Sequence, residues 1–593
     1  MLHRLTVTIR SPTPVRHSLG ARVLERAPGW SGRTGAVTLA LLVGVGAGLG
    51  AVVFRYLIQG ITVVFTGFSD YAGQGRVANP HLSWLGPWFV LLTPVVAGVL
   101  YGPLVYRFAR EARGHGVPEV MVAVARNGGR IRPQVAVVKA LASALTIGGG
   151  GSVGREGPIV QIGSALGSTL GQRVGLDERR VTLLVACGAA GGIAATFNAP
   201  LAGVFFAMEL ILRRWTPESF GLVVLSSVTA SVIGRTVLGD DPFLRLPSFA
   251  VDHLVQYPLF ALLGVLAGLA GVGFSRVLYA VEDACDWAWR GPEWARPAAG
   301  GLLLGIVLLL LPEMYGVGYP VLGTAVAGGY SVAFLLALLV GKVVACSLTI
   351  GIGGSGGVFA PSLFCGAMLG AAFGDGVHAV LPATGGSVGA YAVVGMGAVF
   401  AGSARAPITA VVILFELTGE YSIILPLMLA IVLAAGVSAL VSHDTIYTRK
   451  LLRRGIDIDE SAHASLRRAA VGTVMVDPPD ALDADADIAT AAARLAGDEH
   501  DLPVLDGDGR FCGVVSARAV LDALAAGDAV PVLALTAGPD PVSVDAPLGE
   551  VIDHLEDGVD AVAVVDAEHR LVGWVRHRDV LAGMTRAATV VEA

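Results

Sequence analysis

The chain is short of charge and short of cysteine. Only 15% of its 593 residues are Asp, Glu, Lys or Arg, against 54% hydrophobic, and the mean hydropathy is +0.69. Such a composition excludes a chain bathed in solvent along its whole length and puts much of it in lipid. Five scattered cysteines (Cys187, Cys285, Cys346, Cys365 and Cys512) offer neither a disulfide framework nor metal-ligand spacing. Basic stripes with interleaved aromatics are missing, so nucleic acid is not expected as a partner. Neither of the two glycine runs ends in Gly-Lys-Ser/Thr or sits in a soluble strand–helix unit, so neither is a nucleotide-binding loop. With no nucleophile–base pair and no metal cluster in the apolar segments, the chain is not expected to be an enzyme.

Glycine, by contrast, is plentiful: 79 residues, a supply that suits close helix packing and broken helices in a membrane. Charge is unevenly spread. From Ile456 onward stand 26 acidic and 9 basic residues, of 47 and 41 in the whole chain, which leaves 21 acidic and 32 basic before it. A positive apolar body with an acidic soluble tail favours anions over cations as cargo. The first 34 residues hold Arg4, Arg10, Arg16, Arg22, Arg26 and Arg33 against Glu25, and Arg449, Lys450, Arg453 and Arg454 follow the last apolar run. By the positive-inside rule both termini are expected in the cytoplasm. No cleavable signal is expected, because the next apolar run is too long and leads into further spans.

Apolar runs fall near 35–59, 86–108, 180–212, 221–238, 255–280, 298–312, 331–350, 390–416 and 422–442, while 140–172 and 357–381 read as broken or short helices. About 20 residues make a full crossing, so runs this uneven leave the crossing number open. An internal repeat is plain. Placing Lys139 on Lys342, an offset of 203, sets Leu145-Thr146-Ile147-Gly148 on Leu348-Thr349-Ile350-Gly351, Ser152 on Ser355, Gly154 on Gly357 and Pro158 on Pro361. At an offset of 207, Ala199-Pro200 meets Ala406-Pro407 and Glu209-Leu210 meets Glu416-Leu417. Two membrane halves, each with a glycine loop before a helix start, mark a repeat-built transporter whose site lies where the halves meet.

Chemistry concentrates in Gly154-Arg155-Glu156-Gly157-Pro158. An ionisable pair between membrane-buried segments marks an ion or proton path by default, and irregular backbone at that depth must line a cavity or be covered by protein. Pro158 suits a first helical turn, whose free N–H groups and positive dipole end hold anions. A carboxylate beside such a site can occupy it in the ion's absence, which makes Glu156 the candidate gate. The alternative is a glycine-rich packing corner carrying a surface pair. The repeat puts Phe359 where Glu156 stands, so one half alone carries the gate.

Together with Gly114-His115-Gly116-Val117-Pro118, Gly357-Val358-Phe359-Ala360-Pro361 and Tyr447 past the last span, this motif resembles the CLC family of chloride channels and chloride/proton exchangers, over about residues 35–450. The resemblance implies a homodimer in membrane lipid with one chloride pathway per subunit. It implies anion binding by His115, Gly116, Val117, Arg155, Gly157, Val358, Phe359, Ala360 and Tyr447, and a Glu156 that swings out of the anion site. Donors without full positive charge suit conduction, since the ion must also leave. Two positions depart from the pattern. Many members have serine at His115; the imidazole either donates an N–H to the anion or points away and leaves coordination to the backbone of Gly116 and Val117. The internal proton-accepting glutamate of coupled members falls on Leu210, which cannot relay a proton. The expected mode is therefore a passive, glutamate-gated chloride channel; the alternative is chloride/proton exchange with water or Glu209 as relay. Glu209 otherwise reads as a structural cap, since the repeat copies it as Glu416. Lys139 and Lys342 either lend positive potential to the helix starts or snorkel to an interface. Arg405 is a candidate for steering anions, and Glu119 reads as a cap or salt bridge. A cation carrier would need converging carboxylates, and Glu156, Glu209 and Glu416 are too dispersed in the sequence for that.

The tail holds a second repeat, at an offset of 60: Pro503-Val504-Leu505-Asp506 on Ala563-Val564-Val565-Asp566, and Gly513-Val514-Val515 on Gly573-Trp574-Val575. It resembles a tandem pair of CBS domains. That resemblance implies an adenine nucleotide held by a Ser/Thr and by an Asp three residues later. Here Ser516 is followed by Ala519, and Asp579 is preceded by Arg576, so each copy keeps half of the pair; a structural or dimer-stabilising role is expected instead. The expected architecture is a multi-pass α-helical membrane protein of two repeated halves with broken and re-entrant helices, followed by a cytoplasmic α/β CBS pair. Its divisions are 1–34 (basic segment), 35–448 (halves about 35–230 and 250–448), 449–468 (linker) and 469–593 (CBS pair), in the cell membrane.

Overall fold

The computed structural model describes residues 32–239, 253–382, 385–458, 467, 469–495, 500–527, 530–556 and 559–582. The basic segment ahead of residue 32 and part of the expected linker (459–466 and 468) lie outside them. The chain divides between Ile456 and Asp457 into two compact units.

The first unit is all helix. Its first half comprises α1 (Arg33–Thr66), α2 (Phe89–Phe108), α3 (Val117–Arg126), α4 (Gln134–Gly148), α5 (Glu156–Val174), α6 (Glu178–Phe197), α7 (Pro200–Phe206, prolonged by a π-helical turn over Ala207–Leu212) and α8 (Pro217–Leu238). Its second half comprises α9 (Gln256–Ala288), α10 (Arg296–Leu310), α11 (Tyr319–Val326), α12 (Val332–Gly351), α13 (Phe359–Val380), α14 (Val388–Ala404), α15 (Pro407–Thr418) and α16 (Ile424–Val441). A short α17 (Thr448–Leu452) follows. The packing repeats as the sequence does: α1 lies on α6 and α8 as α9 lies on α14 and α16, and α5 pairs with α6 as α13 pairs with α14. The halves meet through α2 against α10 and α7 against α15. Among the described residues nine helices are long and apolar enough to cross a membrane.

Two runs that read as continuous are each broken in two. The run 180–212 stops at Asn198 (φ 58°) and the run 390–416 stops at Arg405 (φ 52°), both left-handed residues ending a helix. Pro200 and Pro407 then open the next helix, because proline cannot extend the one before it yet fits a first turn. The run 140–172 likewise becomes α4 and α5 with the glycine loop between them.

The second unit holds two three-stranded sheets of identical plan. In the first, β1 (Leu482–Asp483) pairs parallel with β2 (Asp501–Leu505), which pairs antiparallel with β3 (Phe511–Ser516). In the second, β4 (Val542–Ser543), β5 (Ala561–Val565) and β6 (Leu571–Arg576) repeat this, down to a register shift at Val504/Leu505 and at Val564/Val565. Each sheet buries an apolar cluster under its own helices, and Trp574, wholly buried, joins Phe511, Val514 and Ala563 in a third cluster between the copies.

Candidate functional site

Four loops, each leading into a helix N-terminus, come together in the first unit. Gly154 and Gly357 exchange backbone hydrogen bonds of 2.7 and 2.6 Å, which ties the loop before α5 to the loop before α13. Gly114 N–H donates to Gly354 O (3.0 Å) and Gly356 N–H to Gly114 O (3.2 Å), which adds the loop before α3. Crossed side-chain bonds lock the arrangement: Ser152 N–H donates to Thr349 Oγ1 (3.1 Å) and its repeat image, Ser355 N–H, to Thr146 Oγ1 (3.2 Å). Irregular backbone is tolerated at membrane depth where it is buried in protein and tied down by bonds such as these.

The two lysines fix the loops from beneath. Lys139 Nζ donates to Ala112 O (2.9 Å) and Gly114 O (2.7 Å), and Lys342 Nζ to Ser152 Oγ (2.9 Å), Gly316 O (3.1 Å) and Val317 O (3.0 Å). Both are wholly buried, so the snorkelling alternative is overturned: the ammonium groups spend their protons on carbonyls of the loops rather than reaching water.

Glu156 opens α5 and is buried. Its Oε1 accepts from Tyr319 Oη at 3.0 Å and its Oε2 from Ala360 N–H at 3.4 Å. One carboxylate thus touches the starts of α5, α11 and α13. Phe359, at the position of Glu156 in the repeat, instead packs its ring 4.4 Å from Phe400 and 5.7 Å from Phe197. Gly157 admits no side chain, for a Cβ there would lie 1.9 Å from His115 O. Val358 caps α13 and Gly116 (φ 84°) caps α3, whose first residue is Val117. Arg155 is the cap of α5; its Nη2 donates to Thr196 O (3.2 Å) and its guanidinium lies 5.0 Å over the Tyr319 ring. Above it opens a cavity of about 430 Å³ lined by Arg55, Asp70, Arg155, Asn198 and Tyr319, among others.

His115 is buried with neither ring nitrogen hydrogen-bonded among the described residues, its ring 6.0 Å from that of Tyr279. Tyr279 Oη donates to Ile446 O (2.7 Å), next to the buried Tyr447. Glu119 forms ion pairs with Lys450 (3.2 Å) and Arg454 (2.9 Å).

Glu209 lies away from this cluster. Its carboxylate accepts from Ile408 N–H (3.2 Å), Thr409 N–H (2.8 Å) and Thr409 Oγ1 (2.6 Å) at the start of α15. Glu416, its image, accepts from Leu201 N–H (2.9 Å) and Ala202 N–H (2.7 Å) at the start of α7. The halves cap each other's helices, as the copied glutamate suggests. Leu210 is buried beside Glu209. Arg405 is no steering charge at the cluster: it clamps the end of α16 through Ser438 O (3.0 Å) and His443 O (3.0 Å), with Ser442 O as a further partner.

In the tail, Ser516 Oγ accepts from Ala519 N–H (3.3 Å) as the cap of the helix Ala517–Ala526, and Asp579 Oδ2 accepts from Arg576 N–H (3.0 Å) and Nε (3.2 Å). Each half of the expected ribose pair is committed within its own copy.

Sequence reasoning missed Tyr319. A signal was present: Gly318-Tyr319-Pro320 falls on Gly116-Val117-Pro118 at an offset of 202, one residue out of the register that aligns the lysines.

The sequence profile described as voltage gated chloride channel matches residues 97–439, and that of the CBS domain matches 471–526 and 535–586. A putative chloride channel protein ClcB-like of Ralstonia nicotianae is 34% identical over 429 residues, 71% of this chain and 97% of that one. The H(+)/Cl(−) exchange transporter ClcA of Vibrio parahaemolyticus is 36% identical over 381 residues, 62% of this chain and 80% of that one. Among solved structures, a slow cyanobacterial Cl−/H+ antiporter superposes with a TM-score of 0.63 at 27% identity, covering 71% of this chain and 97% of its own. With its eight-helix repeat, its gathered helix starts and a CBS pair later in the sequence, this multi-pass membrane chain belongs to the CLC family of chloride transport proteins.

Proposed function

We propose that this protein exchanges chloride for protons across the cell membrane, as a homodimer with both termini in the cytoplasm, one pathway per subunit, and Glu156 as the gate. The observation that carries the reading is the Glu156 carboxylate at the starts of α5, α11 and α13, where it takes up donors suited to an anion. A carboxylate standing where chloride passes must leave for the ion to move, and picking up a proton is what lets it leave. Backbone N–H groups of Gly116, Val117, Gly157, Val358, Phe359 and Ala360 then serve the ion, with Arg155 drawing it in and the Tyr447 hydroxyl meeting it on the inner side. His115 contributes a ring N–H, its unsatisfied nitrogens being the support.

This replaces the passive channel expected from Leu210. Relatives bearing exchange in their names are 36% identical to the chain, so a missing carboxylate at one position weighs less than the gate it would serve. Glu209 is spent on capping α15, so water is the inner relay. The CBS pair acts structurally, holding the dimer. The test is the purified protein in liposomes carrying a chloride gradient, with proton uptake and chloride efflux recorded together. Exchange moves protons uphill, and Glu156→Gln abolishes that movement while chloride still flows. Chloride flux without proton movement in the unmutated protein returns the passive channel.

A further inference from the structure

The gate has a second holder that no family motif of the sequence announces. Tyr319 is the first residue of α11, held there by Gly318 in the left-handed region (φ 90°) and by Pro320 behind it. Its half-buried side chain has two faces. The hydroxyl points inward and donates to Glu156 Oε1 at 3.0 Å. The ring lies under the Arg155 guanidinium and forms part of the wall of the 430 Å³ cavity. The phenol therefore stands between the cavity and the carboxylate.

We propose that Tyr319 is the outer latch of the gate: its hydroxyl holds the ionised Glu156 carboxylate in place and sets the external pH at which that carboxylate lets go. The inference rests on Glu156 being the gate. A hydrogen bond to the charged form of a carboxylate favours that form. A proton arriving from the cavity binds Oε1 and neutralises the carboxylate; the phenol keeps its own proton and loses an acceptor, and no other bond is exchanged. The freed side chain can then leave the helix starts. Other charged and titratable groups bear on the pair. Arg155, Arg55 and Asp70 line the cavity beside it, and Lys342 on α12, Cys346 and Tyr447 lie within electrostatic reach of Glu156. Tyr319 gives the carboxylate a side-chain hydrogen bond.

The contrast with the other half isolates the role. Val117 holds the position of Tyr319 in the first motif and Phe359 that of Glu156 in the second, so the image pair has neither hydroxyl nor carboxylate.

The test is Tyr319→Phe in the full-length protein in liposomes, with chloride efflux followed against external pH. The ring and its cation stay, and only the hydroxyl goes. The efflux profile moves alkaline by about one pH unit, the scale expected for one hydrogen bond to an ionised group. In a Glu156→Gln background the same change moves nothing. Replacing Tyr319 with 3,5-difluorotyrosine, a stronger donor of nearly the same shape, moves the profile the other way, and this covers the case in which the phenylalanine variant fails to fold. An unmoved profile in both substitutions, or an equal shift in the Glu156→Gln background, overturns the latch. Absence of proton transport in the unmutated protein would sink exchange but leave this profile readable, so the two failures are told apart.

Discussion

The two halves of the membrane unit share a backbone plan and differ where the chemistry is. Ser152 and Ser355 with Thr349 and Thr146, and Glu209 and Glu416, make equivalent bonds in both copies, and Lys139 and Lys342 both bind carbonyls of the loops, Gly114 O and its image Gly316 O among them. Glu156 faces Phe359 across the repeat, Tyr319 faces Val117, and Gly157 faces Ala360. What is duplicated builds the frame that keeps irregular backbone satisfied inside lipid. What is not duplicated includes the carboxylate proposed as the gate. A residue that has an image in the other half is thus first suspected of structure, and one without an image, of function.

The sharpest way to break this comparison is at Gly157. A methyl there would meet His115 O at 1.9 Å and Gly357 Cα at 3.0 Å, both backbone atoms that cannot turn aside. Gly157→Ala is expected to reduce chloride flux at least tenfold and to destabilise the fold by about 3 kcal/mol or more, the upper range for overpacking. Ala360→Gly, at the image position, costs only about 1 kcal/mol of helix propensity. Equal losses in thermal melts and flux assays would show that the halves are not specialised here.

The lysines come next. Each removal orphans two or three buried acceptors, so Lys139→Met and Lys342→Met should each lower stability by about 3 kcal/mol. If the frame is symmetric, the two melting temperatures fall together. Lys342 alone is within electrostatic reach of Glu156, so only its variant should also displace the pH profile of flux.

Smaller again is the pair of crossed caps. Glu209→Gln and Glu416→Gln each weaken a helix cap shared between the halves, at about 1 kcal/mol. Both should leave the proton-to-chloride ratio unchanged. A drop confined to Glu209→Gln would make that carboxylate a relay after all and break the symmetry.

Much of this frame could be read from the sequence because repetition is independent of depth and direction. The coincidence of Lys139 with Lys342, and of Ala199-Pro200 with Ala406-Pro407, needed only counting. What could not be read depended on distance. Whether a lysine ends in water or on carbonyls is decided by how far it lies from the lipid surface, so snorkelling, the more usual outcome, was expected of two side chains that are wholly buried. The breaks at Asn198 and Arg405 hide within apolar runs because the residues taking up the left-handed turn are not glycine. Tyr319 belongs to a loop shifted by one residue from the main register, and its value lies in a contact 163 positions back along the chain.

The smallest effect concerns the tail, where the two CBS copies repeat the same comparison. Each sheet has the same strand order, and each copy lacks one member of the ribose-binding pair in a complementary way: Ser516 stands without an acid, and Asp579 stands with Arg576 in place of the hydroxyl. The structure adds that Asp579 is already occupied, accepting two hydrogen bonds from Arg576, one of them from a charged donor. A ribose would have to displace an interaction stronger than the one it offers. Millimolar ATP or AMP should therefore leave the thermal melt of the full-length protein unmoved. Arg576→Thr both releases Asp579 and supplies the missing hydroxyl, so this variant is the one expected to gain a nucleotide-dependent rise in melting temperature of a few degrees. A rise in the unmutated protein, abolished by Asp579→Ala, would mean that Arg576 swings aside for the ligand and that the second copy is a sensor rather than a brace.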